Sequence, residues 1–239
     1  MIWTIYIIIL LYFLLGGVGF YFINKRKSDK EAHNNVVKLA TYFVIINVLF
    51  FSIIFNPVFF RFLSVVIIIA GCFEMINIFV RSNYNRKSFV LFSLLIFGIF
   101  SFAFYCFSGM DKELILFTLL IVSIFDSFSQ ISGQLWGKNK LFPNVSPNKT
   151  TQGLAFGAVI AIGSSILLRN LPGFSAVNAI WIACGIIIFA FFGDLLASLY
   201  KRKFNEKDFS RLIPGHGGFL DRFDSLIIGG AWVFLISYL

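Results

Sequence analysis

Asp194, Ser198, Lys201 and Arg202 stand at i, i+4, i+7 and i+8, where a long apolar run gives way to a basic segment. Continued as a helix, that spacing puts an acid, a hydroxyl and two cations on one face. A carboxylate at membrane depth is expensive and marks a functional position by default. The stripe suits a metal ion handled together with phosphate groups. The plainer reading is a snorkelling helix end whose Lys201 and Arg202 only set topology. Asp194 and Ser198 in register favour the site.

The stretch that follows, Lys207 to Ser225, carries the same kind of chemistry. Pro214 and the glycines Gly215, Gly217 and Gly218 around His216 break any helix and let the backbone approach a ligand. Asp221 and Asp224 are spaced i, i+3 before the last apolar run, and point the same way if the final helix begins early. Such hard oxygens suit Mg²⁺, which takes one or two carboxylates and completes its shell with phosphate and water. Arg211 and Arg222 could clamp phosphate oxygens through paired N–H groups. A lone loop histidine is usually incidental, but this glycine-rich, acid-bearing context makes His216 a site candidate. A second constellation precedes it. Asp126, Ser127, Ser129, Gln130, Ser132 and Gln134 interrupt an apolar run, and Ser146-Pro147-Asn148-Lys149-Thr150 offers a cation and hydroxyls just before a helix. Glu74 is a further intramembrane acid with no partner nearby in sequence; helix-to-helix hydrogen bonding is the favoured role.

These residues need helices that cross a membrane to hold them. Of the 239 residues, 59% are hydrophobic, 13% are charged and 33 are Phe; mean hydropathy is +0.88. A soluble domain carries roughly 25% charged residues and could not cover so much apolar surface. A crossing helix needs about 20 mostly apolar residues, and eight runs qualify: 2–24, 39–56, 62–80, 89–108, 113–136, 153–168, 176–200 and 225–239. The first is followed by Lys25, Arg26 and Lys27 with no cleavage-like site, which reads as a retained span rather than a signal peptide. Of the 20 Lys and Arg residues, 17 fall in the odd-numbered connections. By the positive-inside rule those connections are cytoplasmic and both termini lie outside.

The expectation is an all-α polytopic transmembrane bundle of about eight spans forming one continuous membrane domain. Residues 1–110 supply N-terminal helices, and 111–239 the catalytic helices and loops. Gly16, Gly17, Gly19 and Gly71 are expected to allow close helix contact. Cys72, Cys106 and Cys184 sit unpaired in apolar runs, against a disulfide framework or zinc site. No basic soluble module is present to carry a nucleic-acid role.

Ser198-x-x-Lys201-Arg202, then Lys207-Asp208, then Pro214-x-His216-Gly217-Gly218-Phe219-x-Asp221-Arg222-Phe223-Asp224 closely resembles the signature of bacterial phosphatidate cytidylyltransferases over 27 positions. Tyr200 stands where that family usually has an aliphatic residue or Phe. The resemblance extends upstream to Asp126–Gly153, with departures at Gln134, Asn148 and Gln152, which are expected to line the same cavity and bear on substrate choice. It implies transfer of a cytidylyl group from CTP to phosphatidic acid, with release of pyrophosphate, at the cytoplasmic face of a bacterial inner membrane. It implies Mg²⁺, with K⁺ as a second cation; a homodimer is compatible with it. The roles it suggests are metal binding by Asp194, Asp221 and Asp126, and catalysis by Asp194, Asp221, Ser198, Lys201, Asp224 and His216. Substrate contacts are expected from Arg202, Lys207, Asp208, Arg222, Ser146, Lys149, Thr150, Gly217 and Gly218. Competing readings are a polyprenyl or ether-lipid phosphate as acceptor, CTP-dependent lipid kinase chemistry, and a transporter. Against the transporter, the charged residues cluster at one membrane face, whereas transport sites lie near the midplane.

Overall fold

The computed structural model describes residues 2–25, 27–210, 212 and 217–237. Its helices are α1 (Ile2–Asn24), α2 (Asp29–Phe55), α3 (Pro57–Arg81), α4 (Lys87–Phe107), α5 (Lys112–Trp136), α6 (Thr151–Leu168), α7 (Ala176–Lys203) and α8 (Leu220–Ile236). Between α5 and α6 lie two strands, β1 (Lys140–Phe142) and β2 (Ser146–Thr150). The first seven helices are long and apolar enough to cross a membrane, and the all-α bundle expected from the apolar runs is present.

Local signals place several boundaries. Pro57 opens α3 behind Asn56, whose side chain accepts from Val58 N, and Ser175 caps α7 through Asn178 N. The 28 residues of α7 span roughly 42 Å, well beyond a hydrocarbon core of about 30 Å. The surplus carries its basic last turn out of the apolar zone. Several features differ from the expectation. α2 starts at Asp29 rather than near residue 39, and α8, with 17 residues, is not among the described helices long enough to cross. α8 starts at Leu220 rather than near residue 225, which brings Asp221 and Asp224 into its first turns. The segment after α5 is an antiparallel hairpin, β1 against β2, with an irregularity between Lys140 and Phe142.

The core lies around α5 and α8. Ile115 to Val122 of α5 are buried without a break, as are Phe223 to Ala231 of α8, the pattern of helices surrounded on all sides. α5 packs along α6 and α8 along α7 and α4, while α1 and α2 pack against α5 from outside. Trp3, Leu14, Phe55, Phe92 and Phe102 on the outer helices are exposed, forming the apolar surface that lipid covers. With lipid as solvent, close packing and polar contacts hold helices together. Tyr6 Oη donates to Asn47 Oδ1 at 3.1 Å, and Tyr12 pairs with Ser164.

Of the glycines expected at close contacts, Gly19 and Gly71 make tight ones, against Ile131 and against Phe97 and Leu220; Gly16 and Gly17 have ordinary neighbours. A still tighter approach lies in the second half, where Gly157 of α6 lies against the Ser129 side chain and the Phe125–Ser129 backbone of α5. A methyl there collides with backbone that cannot yield. Gly163, in the same helix, has nothing near it. Gly163→Ala should therefore leave thermal stability in detergent unchanged or raised by up to ~1 kcal/mol. Gly157→Ala should lower it by about 1–3 kcal/mol. Equal effects at the two positions, read from thermal unfolding, would contradict this packing.

Candidate functional site

α7, α8, α5 and the hairpin bring the chemically capable residues together. On α7, Ser198 Oγ donates to Asp194 Oδ1 at 3.3 Å. The other Asp194 oxygen faces Lys149 Nζ at 2.9 Å. Lys149 is delivered by β2 and lies over the Phe191 ring, 4.2 Å from its centroid. One turn beyond Ser198, Lys201 pairs with Asp221 of α8. Both side chains are largely withdrawn from solvent, so each compensates a charge the other could not leave unpaired. Asp194, Ser198 and Lys201 thus share one face of α7, as their spacing suggests. Arg202 leaves it: its Nε donates to Val145 O at 3.1 Å and Nη1 to Glu206 O at 3.0 Å. It braces the hairpin and the end of α7.

The start of α8 is built from two carboxylates. The first amides of a helix have no intrahelical acceptor, and Phe219 at the cap position supplies no side-chain acceptor. Asp221 Oδ2 accepts from Gly218 N at 2.8 Å and Phe209 N at 3.0 Å. Glu74 of α3, only 1% exposed, accepts from Phe219 N at 2.8 Å, Leu220 N at 2.7 Å and Ser210 Oγ at 2.6 Å. Two negative groups at a helix N-terminus also meet the favourable end of its dipole. Glu74 is the site residue whose role sequence reasoning left open, because its partners lie more than 130 positions away. Tyr200, the departure within the signature, donates its hydroxyl to Met75 O at 2.8 Å and ties α7 to α3 beside Glu74.

The glycines of the loop have packing reasons. Gly217 has φ +85°, and a side chain there would meet Asp208; at Gly218 it would meet the Glu74 carboxylate and Phe209. Arg211, Pro214, Gly215 and His216 lie outside the described residues.

Asp224, one turn into α8, is buried and within electrostatic range of Asp194, Lys201, Asp221 and Asp126. Asp126 of α5 lies within electrostatic range of Asp194, Lys149 and Arg222 and near Ser225. Lys207 and Asp208 are exposed in the α7–α8 connection. Lys38 of α2, which no motif singles out, lies within electrostatic range of Lys207, Asp208 and Arg222 and joins this basic rim. Ser146 is held in the hairpin register opposite Phe142. Thr150 is buried and caps α6, accepting from Gly153 N at 3.1 Å.

Gln134 and Asn148 are exposed, and Gln152 Oε1 accepts from Lys138 N at 3.0 Å and Asn139 N at 3.2 Å. An amide oxygen serves that local hairpin contact as an acid would. From the Ser146–Thr150 segment, Lys149 reaches Asp194, the one acid of α7.

Comparison with known proteins agrees with this architecture. Residues 2–239 match the model of the cytidylyltransferase family. The chain belongs to that family. It is 31% identical over 226 residues to a phosphatidate cytidylyltransferase of Rickettsia felis, covering 90% of this chain and 97% of the relative. Proteins of the same name from Staphylococcus saprophyticus and Staphylococcus haemolyticus are 36% and 37% identical, each match covering 62% of this chain and 57% of the relative. The chain thus spans nearly the whole length of the first relative and a little over half of the other two.

Two measurements check the geometry. Lys201→Met and Asp221→Asn should each destabilise by about 3 kcal/mol, because each strands a buried charge. The double variant should lose markedly less than the sum; simple additivity in thermal unfolding would contradict the pair. Glu74→Leu should cost about 2–3 kcal/mol by leaving two amides and a hydroxyl without an acceptor. Glu74→Gln, which keeps one acceptor oxygen, should cost less.

Proposed function

We propose that this protein transfers the cytidylyl group of CTP to phosphatidic acid within the membrane, giving CDP-diacylglycerol and pyrophosphate. The reading rests on one observation above the others. Two lysine–aspartate pairs, Lys149–Asp194 and Lys201–Asp221, meet at one end of a membrane bundle, in a chain of the cytidylyltransferase family. Both substrates are polyanions, so their approach must be neutralised. Each ammonium is held ready by a carboxylate and can exchange it for a phosphate oxygen. A lipid phosphate oxygen attacks the α-phosphorus of CTP, the bond to the β-phosphate oxygen breaks, and pyrophosphate leaves. The lipid phosphate is already an adequate nucleophile near neutral pH, so no strong base is needed. Lys149 and Lys201 stabilise charge building on the transferred and leaving phosphates, with Ser198 holding Asp194 in place.

The acids fit a hard cation. Among the described residues no three His, Cys, Asp or Glu side chains close on one point, yet Mg²⁺ needs only one or two protein carboxylates beside phosphate and water. Both oxygens of Asp221 are engaged by Lys201 and by backbone amides. The oxygens of Asp194 are likewise engaged, by Ser198 and Lys149, so Asp194 and Asp221 would each exchange a partner to hold Mg²⁺, with Asp126 and Asp224 in range. The bound ion would supply charge neutralisation and alignment of attacking and leaving oxygens. CTP would arrive from the cytoplasm, the side that the basic connections favour, past Lys38, Lys207 and Arg222.

Purified protein given labelled CTP, Mg²⁺ and a panel of phosphatidic acid, polyprenyl phosphate and an ether-lipid phosphate should release pyrophosphate, best with phosphatidic acid. Asp194→Asn should lower kcat roughly hundredfold. Absence of release with every lipid would remove the reading, and preference for another lipid would reassign the acceptor.

A further inference from the structure

α4 and α7 both lie along α8 and meet at one end, where Phe89 stacks on Tyr200 with ring centroids 5.8 Å apart; beyond that contact the space between them is a groove floored by α8. One wall is a stripe of α4 that includes Phe89, Ser93, Ile96 and Phe100; the other includes Leu196 and Ala197 of α7. The lining is almost wholly apolar, and Asp224 is its one carboxylate. Leu196 is 40% exposed, so the groove opens sideways to the surrounding hydrocarbon rather than forming a closed cavity. From Phe89 to Phe100 the α4 stripe runs roughly 16 Å, about half of a hydrocarbon core ~30 Å thick. That is the depth of a single leaflet. The groove begins at the ends of α4, α7 and α8 that carry the basic and acidic residues. It meets the polar site at Asp224, which is in range of Lys201 and Asp194.

A slot lined by hydrocarbon, one leaflet deep, open to lipid and ending beside a phosphate-handling site has the form of a single acyl chain with its headgroup. We propose that this groove holds one acyl chain of the lipid phosphate, an inference that rests on the function proposed above. Ser93 and Ala197, small side chains in its two walls, determine how bulky a chain can enter. Once the chain is laid between α4 and α7, its phosphate is brought to Asp224 and Lys201 without leaving the membrane.

Phosphatidic acid carrying a mid-chain diazirine, photolysed with the wild-type protein in phosphatidylcholine nanodiscs, tests occupancy independently of turnover. Label should map to residues 89–100 and 193–200 and be competed by unlabelled phosphatidic acid but not by added phosphatidylcholine. Label elsewhere, or competition by both lipids alike, would overturn the proposal, as would label reaching these residues only across a contact between two copies. Kinetics give a second readout. Ser93→Trp should lower kcat/KM for dioleoyl phosphatidic acid about tenfold, the scale of overpacking a fitted apolar space. It should leave dihexanoyl phosphatidic acid, whose chains need little of the groove, unchanged. Equal losses on both substrates, or none on either, would count against the groove. Competed label in the groove of a protein that releases no pyrophosphate would support the lipid site while ending the cytidylyl-transfer reading.

Discussion

A helix that begins inside a packed bundle exposes amide N–H groups for which neither lipid nor apolar side chains offer an acceptor. α8 begins in such a place, and the carboxylates of Glu74 and Asp221 are what allow it to. Glu74 reaches from α3 to the Phe219 and Leu220 amides, and Asp221 folds back onto Gly218 and Phe209. Asp221 also takes Lys201 from α7. The cap of one helix is therefore the counter-ion of the next. Asp224 sits one turn further along the same helix, so its position inherits whatever accuracy the cap provides.

The same economy of charge governs the hairpin. A lysine directed toward a membrane bundle needs a partner, and Asp194 provides it at 2.9 Å while Phe191 presents its ring face beneath the ammonium. The hairpin is anchored by Arg202 on Val145 and by Gln152 on the Lys138 and Asn139 amides. Resting pairs of this kind keep cations in the site without exposing an isolated charge to hydrocarbon. In the proposed reaction, phosphate would then enter by exchange rather than by creating new charge.

The apolar first half of the chain does more than occupy lipid. α3 contributes the buried acid that starts α8, α2 contributes Lys38 to the basic rim, and α4 forms one wall of the groove above α8. α8 is thus buried among helices from both halves of the sequence. In the proposed reading, the polar residues near its start and the apolar residues further along would serve one substrate with two chemically different ends.

Much of this was decided by sequence alone. The lengths of the apolar runs placed the helices, since a bilayer tolerates only a narrow range of spans. The i, i+4, i+7 stripe on α7 was legible because helical periodicity is local, and the signature from Ser198 to Asp224 pointed to the family. Other features belong to the tertiary structure. Arg202 satisfies the same periodicity yet turns to backbone carbonyls, because the hairpin lies beside it. Asp221 reads as a metal ligand in sequence; that its oxygens also meet Lys201 and two amides was decided by the fold. Glu74 found its partners 136 to 146 residues away. Pairing across such distances depends on which helices become neighbours, and no local pattern carries that information.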